Sequence, residues 1–176
     1  MTYKLFDTIL ADKLGKRELV PPGISFDPDE SEKRDLYMSP ALRTTLQQVH
    51  PRMAREYASN IRAYLGRFIK GKEKIDNEDY MKSWKEDVFE LRVQNQKRAD
   101  RLRIFGAFGK PDTFIAFFRR PRSHFGGKDD PKWDEAIYRV VDEWNGMFPG
   151  CRRVPAQPFS NCLTFKYWDV HTQTGG

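Results

Sequence analysis

Three short runs lie within thirty-odd residues of one another: Val88-Phe-Glu-Leu-Arg-Val93, Arg101-Leu-Arg-Ile-Phe105 and Thr113-Phe-Ile-Ala-Phe-Phe-Arg-Arg120. In the first, Phe89, Leu91 and Val93 share one side and Glu90 and Arg92 the other; in the second, Leu102 and Ile104 oppose Arg101 and Arg103. That two-residue period belongs to extended chain with one apolar face. The third run is apolar on both sides until Arg119. Gly109-Lys-Pro-Asp112 has the composition of a tight connection, so the second and third runs are expected to pair antiparallel. An antiparallel sheet can pack helices on one face and leave the other to water. The wet face would here be the arginine face.

The rest of the chain reads mostly as helix. Leu5, Phe6, Ile9, Leu10 and Leu14 recur at helical spacing up to Gly15. From Lys16 to Asp35 the pattern dissolves into Pro21-Pro22-Gly23 and the acidic run Asp27 to Glu32, which reads as a linker. Ser39-Pro40 supplies an N-cap and a first-turn proline for a stripe of Leu42, Leu46, Val49, Met53, Tyr57, Ile61, Tyr64, Leu65 and Phe68, interrupted at Pro51 and closed by Gly71. Residues 72 to 87 read as polar and irregular, anchored by Trp84. After Gly126-Gly127, Asp130 and Pro131 open a helix carrying Trp133, Ala136, Ile137, Val140, Val141, Trp144, Met147 and Phe148 on one side. Asn161 to Trp168 is expected to add a strand.

The expected class is α+β, a small antiparallel sheet packed on N-terminal helices and one C-terminal helix. At 176 residues the chain suits one domain. We expect it at 39–148, with an N-terminal extension at 1–38 and a C-terminal extension at 149–176 packed on the same domain. No apolar run reaches a membrane span, and the N-terminus lacks the features of a secretory signal. With only Cys151 and Cys162 and no metal-site spacing, a cytoplasmic protein with no metal or other cofactor is expected.

Charge is concentrated. Lys97, Arg98, Arg101, Arg103, Lys110, Arg119, Arg120 and Arg122 face only Asp100 and Asp112 between Lys97 and Phe125, a balance equal to the whole chain's +6. A local patch of that kind is an electrostatic footprint for a polyanion.

Two helices, a strand with Phe89-Glu90-Leu91-Arg92, an arginine-led strand Arg103-Ile-Phe, and an apolar strand running into Phe118-Arg-Arg-Pro-Arg122 before a helix together resemble the RelE/HigB/ParE superfamily of bacterial toxins. The resemblance covers roughly residues 40 to 147. It implies a RelE-like sheet cradled by a helical hairpin. The implied activity is messenger RNA cleavage, commonly on the ribosome, by a toxin neutralised by a cognate antitoxin protein. The chain departs from the pattern in its length, in its two extensions, and in carrying arginines where the family often has lysines.

Metal-free RNA cleavage needs a base for the 2′-OH, cations for charge developing on the phosphoryl oxygens, and an acid for the leaving 5′-oxygen. Arginine suits the second task because it stays protonated and grips phosphate bidentately. Candidates are Arg92, Arg103 and Arg119 or Arg120. His124 is the best placed acid or base, since imidazole titrates near neutrality. Glu90, beside Arg92, is the other, although a cross-strand ion pair with Arg101 or Arg103 is the simpler account of it. Lys97, Arg98, Arg101, Lys110, Arg120 and Arg122 would then bind RNA. Phe105, Phe125 and Tyr167 are conceivable platforms for bases, although a phenylalanine in a strand is more often core, and His50 and His171 are read as structural or incidental. Two other readings stay open: a ParE-like toxin acting on DNA gyrase without nuclease chemistry, and a non-catalytic nucleic-acid or protein-binding module.

Overall fold

The computed structural model describes residues 3–24, 33–47, 54–71, 80–93 and 101–163. Helix α1 (Lys4–Gly15) precedes strand β1 (Asp35–Met38), helices α2 (Pro40–Gln47) and α3 (Ala54–Lys70), and strands β2 (Met81–Ser83), β3 (Phe89–Val93), β4 (Leu102–Lys110) and β5 (Thr113–Pro121). Helix α4 (Lys132–Met147) follows. The fold is α+β, and the strands form one five-stranded sheet in the order β1-β5-β4-β3-β2.

The helix starts follow their caps. Ser39 Oγ accepts the Leu42 N–H at 3.1 Å and opens α2. The Asp130 carboxylate accepts the N–H groups of Lys132 (2.9 Å) and Gly126 (2.6 Å), tying the glycine turn to the first turn of α4. Those bonds hold the Asp130 carboxyl below its ordinary value.

Strands β2 to β5 are an antiparallel meander, but β1 lies parallel to β5, with Asp35 opposite Thr113 and Met38 opposite Ala116. The sheet is therefore mixed, a correction to the expected all-antiparallel one. A parallel partner needs a long connection: α2 and α3 carry the chain from the β1 edge to the β2 edge, and the meander returns it to β5. Residues 35–38 and 81–83 are too short to announce themselves: their alternation covers only a residue or two on each face.

The expectation of a wet sheet face is also corrected. Ile104, Phe108, Phe114 and Ala116 pack against Leu42, Leu46, Ile61, Leu65 and Phe68 of α2 and α3. On the other face Phe105, Ala107, Ile115 and Phe117 pack against Phe6 and Leu10 of α1 and Ile137, Val140 and Trp144 of α4. Strands β4 and β5 are apolar on both sides, so neither face can be left to water without losing about 1.5–3 kcal/mol per large side chain. Close approach uses glycine: a Cβ on Gly109 would lie 2.0 Å from the Phe6 ring, and one on Gly106 would lie 2.1 Å from the Ile115 carbonyl.

The β4/β5 ladder shifts register once in its middle. Phe105 faces Phe118 but Gly106 faces Ala116, leaving Phe117 as an extra residue. Phe117 and Phe118 consequently both join the core on the α4 side.

After α4 the chain crosses back, and Val154, Ala156, Cys162 and Leu163 close the core on the α2–α3 side. Asn161 ends a 3-10 turn, not a strand, and the remainder of the expected strand, 164–168, lies outside the described residues. Both cysteines are free thiols, and burial pushes the Cys162 thiol up to about 12.

Candidate nucleic-acid interface

Pairing of β3, β4 and β5 sets Arg92 opposite Arg103 and Arg103 opposite Arg120. Three arginines from three strands thus form one row across the sheet, on the α4 side and at the end of β4 away from the Lys110 turn. The adjacent row inward is Glu90, Phe105 and Phe118. Like charges directly opposite one another repel, so the row requires a counter-charge. Glu90 supplies it. Its side chain has no exposed surface, and its Oε1 accepts the Arg92 Nε–H and lies 3.6 Å from Arg103 Nε.

The arginines differ in environment. Arg103 is 5% exposed, and its guanidinium is pulled below its ordinary value by burial, with Glu90 opposing that and Arg92, Arg122 and Arg101 adding to it. Its Nη1 donates to the Leu102 carbonyl at 3.3 Å. Arg120 is half-buried and donates to the Arg119 carbonyl at 3.1 Å. Arg122 opens a 3-10 turn, Arg122–His124, and donates to the carbonyls of Phe125 (2.7 Å) and Gly126 (3.1 Å). His124 is exposed at the end of that turn, edge-on to Phe125, and its carbonyl accepts from Lys132 Nζ at 3.2 Å. Arg101 is exposed at the entry to β4.

Beneath these cations lies an aromatic cluster. Trp84 stacks on Trp133 (4.9 Å between centroids), Trp133 on Phe125 (3.9 Å), and Phe105 on Phe118 (5.1 Å). Cations lie over its rings: Lys82 over Trp84 at 4.1 Å, Arg122 over Trp133 at 5.3 Å and Arg139 over Phe118 at 4.2 Å. Sequence reasoning missed Lys82 and Arg139. The first lies in a strand too short to recognise, and the second lies on the polar side of α4 and meets Phe118 only through tertiary packing. Phe105 and Phe125 are enclosed, at 0% and 4% exposure. They are floor, the core role that a phenylalanine of this kind more often takes, and not open stacking faces.

Of the residues singled out in the sequence, Glu90, Arg92, Arg103 and Arg120 come together, and Arg101 and Arg122 interact electrostatically with Arg103. Arg119 pairs with Ile104, on the opposite face, and its Nε is buried without a hydrogen-bond partner among the described residues. Lys110 stands at the other end of β4, roughly 20 Å along the strand, bound to Asp7 of α1 at 2.7 Å. Lys97, Arg98, His50, Tyr167 and His171 lie outside the described residues. Among the described residues no group of three or more His, Cys, Asp or Glu is placed to hold a metal ion, and no helix is long and apolar enough to cross a membrane.

Chemically, the arrangement offers guanidinium groups in cross-strand register over an enclosed carboxylate and an exposed imidazole at their margin. Such a site suits a phosphate-bearing chain. Comparison with protein-family models, curated proteins and solved structures yields no significant match for this chain.

Proposed function

We propose that this protein is a RelE/HigB-like toxin that binds messenger RNA through the Arg92–Arg103–Arg120 row and cleaves it without a metal ion. The observation that carries the reading is the row itself, three arginines in cross-strand register, two of them beside one enclosed carboxylate. The crossover pair α2–α3 beside an antiparallel meander supports it as well, since the resemblance implies a sheet cradled by a helical hairpin. In this reading Arg92 and Arg120 neutralise the phosphoryl oxygens as charge builds, and Arg103 anchors the row from within. His124 is the acid or base on the solvent side, with Arg101 and Arg122 guiding the flanking phosphates. Association with the ribosome and neutralisation by an antitoxin protein belong to the same proposal.

A second reading, a non-catalytic RNA-binding module, is favoured by one observation: Glu90 has no exposed surface, so it cannot exchange a proton with a substrate hydroxyl. The two separate in cells. Wild type and an Arg92→Ala/Arg120→Ala variant are induced, both are checked to accumulate folded, and new mRNA 5′ ends are mapped. The toxin reading predicts new ends with wild type and a loss of at least about a hundredfold in the variant, as expected when groups stabilising transition-state charge are removed. Growth arrest with intact mRNA would redirect the account to the gyrase-type alternative. No arrest and no new ends would leave the binding module.

A further inference from the structure

Glu90 belongs to the basic site, yet it contributes the wrong sign for binding a polyanion. Its geometry resolves the conflict. The carboxylate has no exposed surface, so neither a substrate hydroxyl nor a phosphate can reach it directly. Its Oε1 accepts the Arg92 Nε–H, whereas Nε of Arg103, which faces Arg92 from the adjacent strand, lies 3.6 Å away without a hydrogen-bond partner among the described residues and meets Glu90 through charge alone. A guanidinium held at Nε has its orientation fixed, because the group is planar and its donors form a rigid fork. Without Glu90 the two cations would repel across the ladder and turn away from each other, an outcome that Lys82, opposite Glu90 on β2, cannot prevent because it too is positive.

We propose that Glu90 is a positioning residue: an enclosed carboxylate that fixes the guanidinium plane of Arg92 by a hydrogen bond and offsets the buried charge of Arg103, so that Arg92 meets RNA phosphate in one geometry. This rests on the RNA-binding part of the functional reading above, and it assigns Glu90 no proton transfer. Charge counting and positioning predict opposite signs for one substitution. Glu90→Gln removes a negative charge from a basic site, so as a mere charge its loss strengthens RNA binding. As a positioning residue its loss weakens binding and reduces the number of phosphates engaged.

The experiment is fluorescence anisotropy of a short labelled single-stranded RNA, 2′-O-methylated to block cleavage, titrated with the full chain over about 50 to 200 mM salt, where binding by basic proteins is steepest. Wild type is expected to bind with a clear negative slope of log affinity against log salt. Glu90→Gln, its fold verified by circular dichroism, is expected to bind more weakly with a slope shallower by about 0.7, the loss of the single-strand phosphate contact made by Arg92. Should Glu90→Gln not fold, Arg92→Lys asks the same question, since it keeps the charge but lacks the Nε–H that Glu90 holds. A slope shallower by about 0.7 is then expected, and an unchanged slope would overturn the inference. Tighter or equal binding by folded Glu90→Gln with an unchanged slope would also overturn it, while leaving RNA binding intact. Absence of salt-dependent binding by wild type would overturn the functional reading and the inference together.

Discussion

Whether Arg119 or Arg120 joins the row is decided by a single extra residue. Strict alternation along β5 would put Arg119 on the side of Ile115 and Phe117; the extra residue, Phe117, inverts the parity, and Arg120 falls opposite Arg103. A bulge depends on the partner strand as much as on its own sequence, so the third arginine was legible only as a pair of candidates. Arg92, Arg103 and their shared face were legible because their alternation is local. The cap at Asp130 was equally legible, and it carries a pH dependence. Its carboxyl is held below the ordinary value of 3.8 by the N–H groups of Lys132 and Gly126. A depressed folded value contributes stability above the unfolded value and loses it as pH falls through the folded one. Asp130→Ala is therefore expected to lower Tm at neutral pH, with the gap to wild type closing in acid below the carboxylate range. Thermal melts across pH check this, and a gap independent of pH would contradict the capping account.

Among the elements, α1 and α4 were readable from their stripes and caps, whereas β1 and β2 acquire meaning only through partners distant in sequence. Helix α1 offers the clearest mutational test. Phe6 lies against the bare Cα of Gly109 on β4, 5.9 Å from Trp144 and 5.0 Å from Phe148 of the α4 region. It keys the helix to the sheet and to α4 at once. Phe6→Ala is expected to cost about 3–5 kcal/mol, the range for emptying a buried aromatic site, measured by urea unfolding. Gly109→Ala is expected to destabilise through the same contact from the opposite side. A loss under about 1 kcal/mol in both would mean that α1 is not seated on the sheet as described.

For the molecule as a whole, the expected boundary after residue 38 coincides with the end of β1, so the segment before it contributes an edge strand and a covering helix. Removing residues 1–38 would uncover Ile115, Phe117 and Trp144 and leave β5 as an unpaired edge. Such a truncation is expected to aggregate or lose cooperative unfolding, read by size-exclusion chromatography and circular dichroism. A monodisperse, cooperatively folding truncation would contradict the three-layer packing. The same packing explains why the concentration of charge was visible in the sequence while its architecture was not. Helices on both faces leave the arginines only one end of the sheet, and that follows from the two-sided apolar character of β4 and β5.

The central claim is that the row at that end of the sheet is where RNA is engaged, and it is tested most directly by NMR of the arginine Nε–H groups during titration with a short single-stranded RNA. Arg34 is the internal control, since it is also buried but lies beside Asp112 and the Phe68 carbonyl at the other end of the sheet. The account predicts shifts at Arg92, Arg103 and Arg120 that saturate together, with Arg34 unmoved. Saturating RNA binding that leaves those three signals in place and moves others would contradict it.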